Sequence, residues 1–204
     1  TAGEKYGHGN SLNGVSINLE FISANPTGPL HLGHTRWAAV GDALGRVLAA
    51  AGAKVTQEFY INDRGNQMDL FGASVEAAAL GLPIPENGYQ GEYIGDIAKT
   101  LVTQDKSILD LAGEVRTTEF RERAYKLQLA QQQGVLETFR THFDVWFSER
   151  TLHESGAVEH GMDKLRKQGH AFELEDATWL RTTDYGDDKD RVLIKSDGSY
   201  TYFS

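Results

Sequence analysis

Histidine is the side chain whose charge changes closest to neutral pH, and residues 31–34 read His31-Leu32-Gly33-His34, two imidazoles three apart with a glycine between them. On the first turn of a helix such a pair projects to one side, and Gly33 leaves no side chain to obstruct a flat base or a ribose approaching the backbone. Free helix N–H groups beside two imidazoles make a donor array for phosphate oxygens. Donors aimed where charge grows during attack on an α-phosphate stabilise the transition state more than the ground state, so this chemistry needs no covalent nucleophile. With Ala24-Asn25-Pro26-Thr27-Gly28-Pro29-Leu30 in front of it, the run is a candidate holder of a nucleoside triphosphate. A packed or exposed histidine pair and a simple helix-start glycine are the plainer readings of the same residues.

Such donors act only if the chain positions them. Val15, Ile17, Leu19 and Phe21 alternate with polar residues at the period of a strand. Trp37, Val40, Leu44, Val47, Leu48 and Ala51 then fall at three- and four-residue spacings before Gly52, predicting a helix over 33–51 with that stripe as its core face. Residues 54–61 alternate again, with Val55, Phe59 and Ile61 on one side. Strand, motif, helix, strand is a βαβ unit, in which ligands lie beyond the carboxyl ends of the strands, where this motif sits.

Farther along, a helix is expected over 66–80, and the turn formers of 81–88 mark a boundary. Helical sections are expected over 89–103, 119–142 and 155–168, an apolar segment over 143–148, and three short strands toward the end. Residues 191–195 and 199–203 read as a hairpin turning on the two residues Asp197-Gly198. The acidic run 184–190 reads as a solvated loop, and Trp37, Trp146 and Trp179 as core residues.

The chain has 204 residues, 40% hydrophobic and 24% charged, enough to bury a real core. No apolar run approaches the ~20 residues of a membrane span, and no signal-peptide pattern opens the chain. With no cysteines, disulfides and cysteine-held metals are excluded, which leaves a cytoplasmic reading unopposed. A net charge of −9 is unlike the basic surface that nucleic-acid binders usually present.

The motif resembles the signature of the class I aminoacyl-tRNA synthetases, His-x-Gly-His at this topological position. Two flanking stretches sharpen the resemblance to the arginyl-tRNA synthetase family: Glu20-Phe21-Ile22-Ser23-Ala24-Asn25-Pro26-Thr27-Gly28-Pro29 and Tyr60-Ile61-Asn62-Asp63-Arg64-Gly65-Asn66-Gln67. A third, Lys195-Ser196-Asp197-Gly198-Ser199-Tyr200-Thr201-Tyr202, follows in the same order. The resemblance implies an α/β fold, the N-terminal part of a Rossmann-like nucleotide-binding fold interrupted by a mainly helical insertion. It divides the chain into 1–82, the first part of that fold, 83–142, the insertion, and 143–204, the return toward the catalytic fold. It further implies ATP-dependent joining of arginine to its tRNA through an arginyl-adenylate, a step that in this family usually needs bound tRNA.

By the same resemblance His31 and His34 are catalytic, and Asn25, Pro26, Thr27, Gly28 and Gly33 join them around ATP. Glu20 and Asn25 are expected to bind the backbone end of arginine, although from sequence alone they are equally an edge-strand carboxylate and a turn former. A guanidinium is matched by a carboxylate or a tyrosine hydroxyl, and Glu149 and Tyr202 stand where the family has such pocket groups. Otherwise Glu149 is an acid at a helix start and Tyr202 an ordinary strand aromatic. The run 62–66 is expected to shape the site. Mg²⁺ would arrive with the ATP phosphates, with no protein-ligated metal.

The chain carries no initiator Met, no Lys-Met-Ser-Lys type loop and no helical anticodon-binding domain, and so reads as an excised catalytic-domain piece, inactive alone. Another class I synthetase, a nucleotidyltransferase and a non-catalytic binding module remain the alternatives.

Overall fold

A computed structural model describes residues 3–203. The expected βαβ unit forms from β1 (Ser16–Glu20), α1 (Leu32–Ala50) and β2 (Lys54–Ile61). After a helical section, β3 (Val145–Ser148) returns to the same sheet. All pairings are parallel in the order β1-β2-β3, with Glu20 opposite Glu58 and Ile61 opposite Ser148. β2 and β3 therefore end together and β1 stops three residues short of them, so Glu20, Ile61 and Ser148 all lie toward the carboxyl edge where a parallel sheet presents its ligand crevice.

The face that α1 turns to the core is not the predicted one. Its buried residues are Ala38, Gly41 and Gly45, whereas Trp37, Val40, Leu44 and Val47 are exposed, Trp37 by 52%. Small residues let the helix lie close on the sheet: a Cβ on Gly41 would come within 2.2 Å of the Phe21 ring, and one on Gly45 within 2.7 Å of Gln57 Oε1. Above the sheet, Phe59 is fully buried and stacks on Trp146 with centroids 4.5 Å apart, with Phe143 edge-on at 5.3 Å.

The helical section comprises α2 (Asn66–Leu80), α3 (Glu92–Gln104) and α4 (Gly113–Thr138). Gly81, at φ +67°, ends α2 in the left-handed conformation expected of a C-terminal glycine. Both α3 and α4 are shifted from the predicted 89–103 and 119–142. Phe71, Ile94 and Phe120, all fully buried, knit the three helices into one cluster, each such side chain contributing about 1.5–3 kcal/mol. The ion pairs Arg116–Glu76 and Arg121–Asp69, each at 2.6 Å, tie α4 to α2. The helices after residue 83 thus share a core with α2, and the chain divides into two compact units only after Glu149.

Within α5 (Glu149–Glu154), Glu149 belongs to the first unit and the remainder to the second. The second unit contains α6 (Ala157–Lys167) and the antiparallel sheet β4 (Ala171–Leu174), β5 (Ala177–Leu180) and β6 (Arg191–Ile194). Of the predicted hairpin, β6 forms, and Tyr200 adds an isolated bridge to Ile194. The loop spans three residues, Ser196-Asp197-Gly198, because the Lys195 amide donates to the Ser199 carbonyl. The acidic run lies largely exposed at the surface, as expected, but its carboxylates are engaged. Asp187 and Asp188 pair with Arg191 at 2.6 and 2.7 Å, and Asp190 accepts from the amide and hydroxyl of Thr183. Charges so paired organise the segment instead of dispersing it.

Candidate active site

His31 is the N-cap of α1 and not a member of its first turn. Its Nδ1 accepts from the Gly33 amide at 3.1 Å, while Nδ1 of His34 accepts from the His31 amide at 3.0 Å. This is a capping box built from imidazoles in place of the usual hydroxyl and carboxamide. It satisfies two amides that the helix start would otherwise leave open. Since each Nδ1 is occupied as an acceptor, each neutral ring carries its proton on Nε2. The ring centroids are 3.8 Å apart, so the cap presents two neighbouring Nε2–H donors at a helix N-terminus. The pKa of His34 is lowered, first by burial and then by His31, which keeps that ring neutral.

The role of Gly33 is sharper than the sequence reading of it. A Cβ there would lie 2.9 Å from Cε1 and 3.1 Å from Nδ1 of the His31 ring. The missing side chain makes room for the capping imidazole itself. A cavity of about 470 Å³, lined largely by Leu30, Ala38, Leu136 and Phe139, flanks His34 on the α4 side.

Between β1 and the cap, the chain turns through Ile22 at φ +68° and Ser23 at φ +45°. Such values cost about 1–3 kcal/mol each in a non-glycine residue, most clearly in β-branched isoleucine. The turn brings the Ser23 hydroxyl to Glu20, to which it donates, while the same oxygen accepts from the Tyr60 amide at 3.1 Å. Thr27 is buried and Asn25 exposed.

A second cluster occupies the strand ends. Tyr60, near the end of β2, hydrogen-bonds Glu149 and lies in the field of Glu149, Asp63 and Glu20; burial first, then these carboxylates, push its pKa up to about 12. Its hydroxyl consequently stays protonated and acts as a donor. Asp63, only 1% exposed, accepts from the hydroxyls of Tyr125 at 2.9 Å and Ser148 at 2.6 Å, holding α4 and the end of β3 to β2. Acids gathered around one phenol suit a cation with several N–H donors. Glu20 and Glu149, far apart in sequence, meet here; Tyr60 and Ser23 are participants that the sequence reading passed over.

Tyr202 lies in the second unit, 95% exposed, its ring edge-on to Phe203. In the 62–66 run, Asp63 lies among the groups around Tyr60, and Gly65 at φ +84° is the N-cap of α2. Among the described residues, no three His, Cys, Asp or Glu side chains gather as a metal site.

The family described as "tRNA synthetases class I (R), catalytic domain" matches residues 3–204. The chain belongs to the class I arginyl-tRNA synthetase family. It is 55% identical over 203 residues to an arginine–tRNA ligase of Renibacterium salmoninarum, covering all of this chain and 37% of that protein. To the arginine–tRNA ligase of Micrococcus luteus it is 50% identical, covering 36% of that one. The chain thus spans little more than a third of the length of these curated synthetases. A Campylobacter jejuni structure described as an arginyl tRNA synthetase superposes with a TM-score of 0.88 at 33% identity, over 98% of this chain and 45% of the other. The Thermus thermophilus arginyl-tRNA synthetase shares the fold at a TM-score of 0.67 and 23% identity, over 96% and 35% of the respective chains. The parallel sheet and the helical section are therefore the fold that this chain shares with these solved synthetases.

Proposed function

We propose that this chain supplies the nucleotide- and arginine-holding part of an arginine–tRNA ligase. In the parent reaction the arginine carboxylate attacks the α-phosphate of ATP, the bond to pyrophosphate breaks, and the arginyl group then passes from the adenylate to the 3′ ribose of its tRNA. The observation that carries the reading is that within one parallel sheet β1 is followed by the Nε2–H pair of the His31–His34 cap, suited to phosphate, while its neighbour β2 carries near its end the acid-ringed hydroxyl of Tyr60, suited to a cation. Nε2–H donors at the α-phosphate would act most strongly as negative charge develops there.

Within this reading Asn25, Pro26, Thr27, Gly28 and Gly33 shape the ATP site with the histidines, Glu20 and Asn25 hold the ammonium and carboxylate end of arginine, and Glu149 addresses its guanidinium; Tyr202 is assigned to arginine by the family resemblance alone. Mg²⁺ is carried by the phosphates. Residues 1–82 hold nucleotide, 83–142 brace them, and 143–204 contribute Glu149. The compartment consistent with tRNA charging is the cytoplasm; no described helix is long and apolar enough to cross a membrane.

Calorimetric titration of the chain with ATP and with arginine tests the reading. Measurable affinity for both, with arginine binding lost in Glu149→Gln, supports it. Absence of any response to either ligand turns the chain into a non-catalytic module. The chain alone is expected to aminoacylate tRNA negligibly, and charging at rates near those of a full-length synthetase overturns that part.

A further inference from the structure

Gln132 of α4 is 1% exposed, and its Nε2 donates both to the Asn25 carbonyl at 3.0 Å and to the Gly28 carbonyl at 2.8 Å. From α3, the Tyr93 hydroxyl donates to the Thr27 carbonyl at 3.0 Å. Three carbonyls of the four-residue stretch Asn25–Gly28 are thus held by side chains of the helical section. The stretch is poorly equipped to satisfy itself, because Pro26 and the following Pro29 have no N–H. A buried carbonyl without a donor costs about as much as a lost hydrogen bond.

The orientation of the Gln132 amide follows from the same contacts. Turned over, its oxygen would face two carbonyl oxygens. As it stands, Oε1 of Gln132 has no partner. A buried amide that leaves its acceptor unpaired while committing its nitrogen to one turn is retained for that nitrogen.

We propose that Gln132 and Tyr93 are positioning residues, fixing the 25–28 turn and through it the direction in which the His31–His34 cap offers its two Nε2–H donors. The functional consequence rests on the nucleotide-binding reading above; the mechanical one does not. The helical section is then a clamp on the signature turn, and loosening either donor releases the cap without touching a histidine.

Hydrogen exchange on the unliganded chain tests the clamp. Gln132→Met keeps the side chain's length and volume and removes both donors; Tyr93→Phe removes one hydroxyl. Two hydrogen bonds of ordinary net worth correspond to about 10- to 30-fold faster opening. That acceleration is expected at the amides of Thr27, Gly28, His31 and Gly33 in Gln132→Met, with about fivefold in Tyr93→Phe, while Phe120 and Ala124 in α4 keep their wild-type rates. A purely structural role would raise all of these together. Unchanged rates at the turn in both variants, or equal acceleration at Phe120 and Ala124, overturn the proposal. Calorimetry with ATP supplies the functional arm: about tenfold weaker binding in Gln132→Met is expected, and undiminished affinity overturns the functional consequence. If the wild-type chain itself binds no ATP, the nucleotide reading fails, and the exchange rates still decide the clamp.

Discussion

His31 performs two tasks through different atoms, and a substitution can separate them. Nδ1 caps α1 by accepting from the Gly33 amide at 3.1 Å, and Nε2–H is the donor left for phosphate. Asparagine is among the preferred N-cap residues, so His31→Asn keeps the first task and abolishes the second. Alanine abolishes both. Loss of an N-cap costs about 1 kcal/mol, which lowers Tm by about 2–4 °C in a chain of this size. His31→Ala should show that loss in urea unfolding followed by circular dichroism, and His31→Asn should remain within about 0.5 kcal/mol of wild type. In a full-length synthetase carrying these residues, both variants should slow arginine-dependent ATP–pyrophosphate exchange by about 10²–10³, the scale for deleting one preorganised donor to a developing oxyanion. Equal destabilisation by asparagine and alanine refutes the Nδ1 assignment. Wild-type exchange in His31→Asn refutes the Nε2 role.

Other consequences follow from the same geometry. Because the folded-state pKa of His34 is lowered from 6.5, the unfolded chain takes up that proton first as the medium is acidified. The contribution is intact above pH 6.5 and declines below it until the folded ring itself protonates; in urea titrations across pH, His34→Gln should flatten this decline, since glutamine can still accept from the His31 amide. In Gly72→Ala the new Cβ would sit 2.9 Å from the Arg121 Cα. A loss of about 1–3 kcal/mol from overpacking should outweigh the helix-propensity gain of about 1 kcal/mol, and a more stable variant in denaturant unfolding refutes the close α2–α4 approach. Tyr60→Phe should weaken arginine binding by about tenfold, the worth of one hydrogen bond to a charged group, with unaltered calorimetric affinity as the contrary result.

What the sequence makes legible is local. Alternation over 54–61 and the apolar spacing closed by Gly81 define β2 and α2 to the residue, because each pattern is written within one element. The histidine pair was also visible, and so was its place after the first strand. Its use as a cap was not, since spacing does not reveal which ring nitrogen a backbone amide will occupy. The acids around Tyr60 come from β1, the loop after β2 and the start of α5, and only the parallel register brings those ends together. Gln132 is separated from the carbonyls it holds by more than a hundred residues, and a contact of that span leaves no periodic trace.

The misassigned face of α1 shows where periodicity misleads. Trp37, Val40, Leu44 and Val47 form the more apolar stripe, yet Ala38, Gly41 and Gly45 meet the sheet. Periodicity locates hydrophobic side chains, whereas a helix laid tightly on a sheet is selected for small ones at the contact. The close approach serves the site. With Gly41 against Phe21, in the segment that continues β1 toward Ile22 and Ser23, α1 is seated on the same residues that begin the strained turn. The His31–His34 cap at its start is then braced twice, by the sheet beneath α1 and by Gln132 and Tyr93 on the turn that leads into it. A donor pair acts electrostatically only if it is already in place when charge develops, and this is the physical reason why the proposed phosphate site would stand where so many short contacts converge.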